Sequence, residues 1–341
     1  MFAEDKVEPV ADHGGSLERA RSLFPGAPEP WVDLSTGINP HSYPHGSLSA
    51  TAFSRLPEVS QAAKLKNAAA ICYETASARN VVAAPGTQIL LPAVMSLVAP
   101  GRAAILSPTY AEHARTAALA GHDILEVSSI TELAGASLAV VVNPNNPDGR
   151  LMKRAELLAL ARELQSRGGL LVVDEAFMDV GPAGHSVAGD VGDAPVVVLR
   201  SFGKFFGLAG IRLGFAIAPE AIVARLEAQL GPWAVSGPAI EIGLRALADG
   251  AWQSAMRKRL QAESQRLDEL IRRNGPSVSG GTSLYRFMRH PDARRIFDTL
   301  GRQGILVRAF DRDPEALRFG LPGSEDEWTR LETALALWLY R

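Results

Sequence analysis

Three apolar runs constrain this chain more than any other feature: Leu138–Val142, Leu170–Val173 and Val196–Leu199. Each is short, valine-rich and uninterrupted by a polar residue, the pattern of a strand buried on both faces. A helical pattern from Lys153 to Ser166, with leucines at 157, 158, 160 and 164 and a stop at Gly168, separates the first two. Two shorter strand patterns, Val81–Ala84 and Ala103–Leu106, precede them, and Gln61–Tyr73 reads as a helix. Several of these strands run directly into polar residues: Ser107-Pro108-Thr109-Tyr110, Asn143 to Gly149, Asp174-Glu175 and Ser201. Strands alternating with helices, with chemistry repeated at their carboxyl ends, predict an α/β fold whose central sheet is mostly parallel and has one active edge.

The stretch Ser201-Phe202-Gly203-Lys204 through Leu208-Ala209-Gly210-Ile211-Arg212-Leu213-Gly214-Phe215 follows the last of those strands. Lys204 sits among small and aromatic residues with no carboxylate beside it. A dry setting disfavours an ammonium, so its pKa is expected to fall below the free value of about 10.4. A partly neutral lysine is a nucleophile for aldehydes. Ser201, Lys204 and Arg212 in this order could serve a cofactor carrying both an aldehyde and a phosphate, as pyridoxal 5′-phosphate does. On spacing alone, a glycine-rich surface turn with two solvated cations fits equally well. Other strand ends add candidates of the same kind. Asp174 could bond a protonated pyridine nitrogen, or cap a following helix. Tyr110 could stack on a pyridine ring, or close the core. Gly86-Thr87-Gln88, at the start of an apolar helix pattern reaching Val98, offers free backbone N–H groups and a hydroxyl to an anion, or a plain N-cap. Pro92 sits awkwardly for a helix starting at Thr87 and points to a kink or a start one turn later.

The motif Ser-x-x-Lys-x-x-x-Leu-Ala-Gly-Ile-Arg-x-Gly-Phe resembles that of fold-type I pyridoxal-phosphate enzymes, in the histidinol-phosphate aminotransferase branch. The resemblance covers nearly the full length, and it implies a small domain built from both termini. It implies that Lys204 is the Schiff-base lysine, that Ser201 and Arg212 hold the cofactor phosphate, and that Asn146 donates to the ring's phenolic oxygen. It also puts Tyr110 on the ring and Asp174 on its nitrogen. His13-Gly14-Gly15, followed by Asp33-Leu34-Ser35 and Ile38-Asn39-Pro40, is similar to the opening of threonine-phosphate decarboxylases of cobalamin biosynthesis. There the arm closes over the substrate, which makes His13, Gly14 and Asn39 candidates for a substrate phosphate. In the Leu317-Arg318-Phe319-Gly320 context the family places arginine on the substrate α-carboxylate, and Arg308 is a further candidate for the phosphate. Spacing alone leaves Arg318 free to form an exposed salt bridge. The activity implied is decarboxylation of O-phospho-L-threonine, with histidinol-phosphate transamination as the alternative and non-catalytic cofactor binding behind both. The chain departs from the aminotransferases at Phe177, where they carry tyrosine, at Gly203, often serine, and at Leu56, which replaces a tyrosine that reaches the neighbouring subunit's cofactor.

The expected organisation is an arm over 1–50 packing with the small domain, a large cofactor-binding domain over 51–232, and a small α+β domain over 233–341 entered at a hinge, Pro232–Ser236. Helices are expected over 219–231, 237–273 and 292–303, and strands at Ser283–Met288, Ile305–Arg308 and Leu317–Phe319. Ser324 and Glu327 form a capping box for a final helix. A net charge of −2 gives no pull toward nucleic acid or an acidic membrane. Cys72 is the only cysteine, so neither a disulfide framework nor a thiolate metal cluster is expected. No apolar run approaches the roughly 18 residues of a membrane span, and no signal-peptide pattern opens the chain. These readings imply a cytoplasmic enzyme, acting on a small phosphorylated amino acid as a homodimer.

Overall fold

The computed structural model describes residues 14–339. Its strands are β1 (Val32–Leu34), β2 (Val81–Ala84), β3 (Arg102–Leu106), β4 (Asp123–Val127), β5 (Leu138–Val142), β6 (Leu170–Asp174), β7 (Val196–Ser201), β8 (Gly214–Ile217), β9 (Val278–Thr282), β10 (Tyr285–Arg289), β11 (Ile305–Phe310) and β12 (Asp313–Gly320). The chain divides into two compact units. Among the described residues, one comprises Tyr43–Asn146 with Leu151–Gly250; the other comprises residues 14–42, Pro147–Arg150 and residues 251–339.

The first unit is built on a seven-stranded sheet in the order β2-β8-β7-β6-β5-β3-β4. From β4 to β7 every pairing is parallel. Only β8 runs against its neighbours, β7 and β2. Every residue of β5 and β6 is buried, which is why these segments read as unbroken apolar runs. β4 is an edge strand whose residues are mostly solvent-accessible, so it carries Asp123 and Glu126 and shows no such run. One apolar core packs around this sheet, including Val82, Leu90, Val94, Ile105, Val140, Val172, Val197, Leu199 and Ala216.

Two helices differ from their sequence patterns. The helix expected from Thr87 covers only Leu90–Met95, because Pro92 fits its third residue, where no intrahelical N–H bond is required. The span 237–273 is two helices, Gly237–Ala248 and Gly250–Arg273. Asp249, with φ −88° and ψ 72°, leaves helical geometry between them, at a pair of residues with poor helix propensity.

The second unit has a five-stranded sheet in the order β1-β11-β12-β10-β9. β1 lies parallel to β11, and the other pairings are antiparallel. The helix Leu17–Leu23 packs here too. Phe24, at its end, sits so closely over Gly301 that an added Cβ there would overlap its ring.

Candidate active site

In the first unit, the carboxyl ends of β6 and β7 and the turn after β2 bring most of the expected cofactor residues into order. Asp174 is the last residue of β6 and is buried. Its Oδ1 accepts the Ala176 N–H at 2.9 Å, and its Oδ2 lies 3.0 Å from His113 Nε2. His113 is fully buried, three residues beyond Tyr110, and its Nδ1 has no hydrogen-bond partner among the described residues. The Tyr110 and His113 rings meet edge to face, centroids 5.7 Å apart. Sequence reasoning missed His113 because a lone histidine on an alanine-rich helix carries no spacing signal.

Lys204 lies in a one-turn helix, Phe202–Phe205, directly after β7. Its Nζ stands 5.6 Å from the centroid of Phe177. Gly203 before it is tightly fitted: an added Cβ would stand 3.0 Å from Ala209 Cα. Ser201 pairs with Gly214 across β7 and β8, and Gly214 pairs with Ala84 across β8 and β2. These registers bring Ser201, Gly86, Thr87 and Arg212 into one region. Arg212 adopts φ +52°, a left-handed conformation that turns the chain after Ala209–Ile211. A Cβ on Gly86 would meet Arg212 Nη2 at 2.7 Å, and one on Gly214 would meet the Thr87 backbone nitrogen at 2.6 Å. Both glycines therefore keep a close backbone approach open. Thr87 and Gln88 precede the short helix instead of capping it, since Ile89 is the N-cap and contributes no side-chain bond. An anion at this turn would rely on the turn's own groups and not on that six-residue helix.

Gln88 bridges two side chains of the neighbouring elements. Its Nε2 donates to Glu112 at 2.9 Å, and its Oε1 accepts the Tyr110 hydroxyl at 3.1 Å. Burial, and then Glu112 and Asp174, push the Tyr110 phenol up to about 12. Asn146 follows Asn143 and Asn145, which do structural work. Asn143 brackets Met152 through both amide ends, and Asn145 ties Thr109 and the Pro108 carbonyl to this loop. Beneath the β6 and β7 ends lies a buried ion cluster that the sequence did not announce. Arg200 donates to Glu175 at 2.9 Å and to Asp179 at 2.7 Å, and its guanidinium stands 4.3 Å from the Tyr73 ring centroid.

In the second unit, Arg318 is buried in β12 instead of forming an exposed pair. Its Nη2 donates to the Ser35 carbonyl at 2.7 Å, its guanidinium lies 5.1 Å from the Tyr285 ring centroid, and Arg308 is its cross-strand partner. Burial, with a push from Arg308, holds its guanidinium down to about 10. Ser35 Oγ accepts the Gly15 N–H at 2.7 Å and donates to Asp33. An added Cβ on Gly14 would stand 2.5 Å from the Ser35 carbonyl oxygen. Gly14, Ser35 and Arg318 thus converge. Asn39 is buried, with its Oδ1 accepting the His41 N–H at 2.8 Å. Arg308 is half-buried beside Phe310. His13 lies outside the described residues. Arg150, which sequence reasoning passed over, has its Nε and Nη2 buried without hydrogen-bond partners. Those two N–H groups lie on one edge of the guanidinium, a geometry matched to two oxygens of an anion.

The class I and II aminotransferase family model matches residues 30–335. The chain belongs to this family. Over 329 residues it is 43% identical to the threonine-phosphate decarboxylase of Pseudomonas aeruginosa, covering 96% of this chain and 97% of that protein. It is 42% identical over 327 residues to the threonine-phosphate decarboxylase of a Sinorhizobium species, covering 95% of this chain and 97% of that protein. Histidinol-phosphate aminotransferase from Sinorhizobium meliloti, solved in complex with pyridoxal 5′-phosphate, shares the fold. Its TM-score is 0.87 at 20% identity, over 100% of this chain and 98% of that one. Pyridoxal 5′-phosphate is the cofactor of these class I and II aminotransferases. The first unit suits it: a buried carboxylate backed by His113, a lysine one turn past β7, and a cradle that a Cβ at Gly86 or Gly214 would fill.

Proposed function

We propose that this protein decarboxylates O-phospho-L-threonine to aminopropanol phosphate, the amine used for the nucleotide loop of cobalamin. The observation that carries this reading is nearly full-length identity above 40% to two threonine-phosphate decarboxylases. When bound, pyridoxal 5′-phosphate supplies an aldehyde for the substrate amine and a cationic ring that takes up the electrons of the Cα–carboxylate bond.

The chain's own residues are assigned the remaining tasks. Asp174, held by His113 and the Ala176 N–H, keeps a proton on the pyridine nitrogen. Ser201, Arg212, Gly86 and Thr87 hold the cofactor phosphate, Asn146 donates to the phenolic oxygen, and Tyr110 covers the ring face. Lys204 would hold the cofactor through its aldehyde and would supply a proton at the substrate's Cα. Phe177 beside it offers no hydroxyl. Arg318 binds the substrate carboxylate, and Gly14, Asn39, Arg308 and the arm's His13 bind its phosphate. The unpaired edge of Arg150 supports an anionic substrate as well. Decarboxylation further requires the Cα–carboxylate bond to stand perpendicular to the ring, whereas transamination requires the Cα–H bond there.

We also read the protein as a cytoplasmic homodimer. Cys72 forms no disulfide, and no helix among the described residues is long and apolar enough to cross a membrane. Phe53, Leu56, Val59 and Ile71 expose large apolar side chains on the first unit, a surface that a second copy would cover.

The deciding experiment supplies purified protein with O-phospho-L-threonine, and separately with histidinol phosphate plus 2-oxoglutarate. The expected result is carbon dioxide equal to amine formed, without any 2-oxo acid. Amino transfer from histidinol phosphate, with no carbon dioxide from phosphothreonine, overturns the proposal.

A further inference from the structure

We infer that Glu112 is a positioning residue for Tyr110, acting through Gln88, and that this relay commits the Tyr110 hydroxyl proton to Gln88. The inference rests on the reading that Tyr110 covers the cofactor ring.

The argument runs on hydrogen-bond polarity. A carboxylate can only accept, so Glu112 Oε2 requires the donor end of the Gln88 amide, which reaches it at 2.9 Å. The acceptor end must then face the other way, where the Tyr110 hydroxyl lies at 3.1 Å. Tyr110 meets this oxygen as donor. Without Glu112, either end of the amide could turn toward the phenol. Glu112 is itself held: it is buried, and Arg115 Nη1 lies 3.3 Å from the same Oε2. Glu112 and Arg115 both belong to the helix Glu112–Leu119, which also carries His113. One helix therefore sets the carboxylate at the ring nitrogen and, through Gln88, the aromatic ring over its face. The groups around the phenol are Glu112, Asp174, Arg212, His113 and Gln88. Burial with two nearby carboxylates keeps the phenol protonated, in keeping with its place as the donor to Gln88.

The test is a double-mutant cycle on cofactor affinity, read by titrating apo-protein with pyridoxal 5′-phosphate, with the circular dichroism of the bound cofactor as a second readout. Glu112→Gln and Tyr110→Phe should each weaken cofactor binding by about 3- to 10-fold, the range for one neutral hydrogen bond. In the Tyr110→Phe background, Glu112→Gln should add nothing, because the hydroxyl it directs is gone. Additive losses overturn the relay and leave Glu112 as structural support. Should Glu112→Gln not fold, Gln88→Met runs the same cycle with the same two outcomes. Tyr110→Ala separates the layers of the argument. If it leaves cofactor affinity and circular dichroism unchanged, the placement of Tyr110 on the ring is wrong, and the relay falls with it.

Discussion

Arg318 carries a charge that the folded protein does not favour. Its guanidinium is held down to about 10, below its ordinary value in a free chain, chiefly by burial. Between those two values the unfolded protein binds more protons than the folded one, so stability rises as pH rises through that window. Below pH 10 both states are charged and the folded state bears the whole cost. An anion is the remedy, and that is the role proposed for the substrate. Arg318→Met should therefore leave the ligand-free protein as stable as the parent or more so at pH 8, as replacing a buried charge often does by about 1–4 kcal/mol. Substrate binding should weaken by about 1.5–3 kcal/mol. A lower melting temperature together with an unchanged Michaelis constant would assign Arg318 to the scaffold instead. Lys204→Ala gives a sharper outcome: borohydride should no longer fix the cofactor to the protein, and intact-mass measurement reads this directly. Retention of the adduct would assign the link to another lysine. Lys204 and Asp174 were legible because each follows an unbroken apolar strand. His113, Glu112 and Arg150 were not, because each is one polar residue whose partner lies elsewhere in the chain or, for two of Arg150's nitrogens, is not found among the described residues.

At the scale of elements, the Arg200 cluster joins the ends of two strands. Arg200 precedes Ser201 on β7, and Glu175 follows Asp174 at the end of β6. Ser186 Oγ and the Val187 N–H also donate to Glu175, drawing the segment after β6 into the same cluster. Burial pushes the Glu175 carboxyl up, while Asp179 and Glu175 together hold the Arg200 guanidinium above its ordinary value despite its own burial. Arg200→Met would leave two carboxylates buried without their counter-charge. The expected cost is about 3–5 kcal/mol, or a fall of roughly 2–4 °C in melting temperature per kcal/mol. Because burial already pushes the Glu175 carboxyl up and the variant removes its counter-charge, the variant's stability should recover more steeply than the parent's as pH falls from 8 to 5. A variant that melts like the parent at pH 8 would show the cluster to be neutral in stability. The strands themselves were readable where both faces are buried. β4 escaped notice as a half-solvated edge, and β8 did so because its first two residues, Gly214 and Phe215, end a motif that reads first as chemistry.

The molecule as a whole presents Phe53, Leu56, Val59 and Ile71 to solvent, with Val59 85% exposed. The proposed homodimer would cover that surface. Leu56→Glu with Val59→Glu should shift the sedimentation coefficient from dimer toward monomer, and a parent already sedimenting as a monomer would remove the proposal. The second unit assembles from distant stretches of chain, a property invisible to local patterning: β1 is three residues long and pairs with β11, Val32 opposite Ile305. That pairing sets a timetable for biosynthesis. At about 5–20 residues per second, a ribosome needs roughly 14–55 s between making the two strands. The nascent arm must wait through that interval while the seven strands of the first unit emerge and pair. Three residues with Asp33 at their centre make a poor template for premature pairing, so the arm's brevity protects the chain while it is still being made.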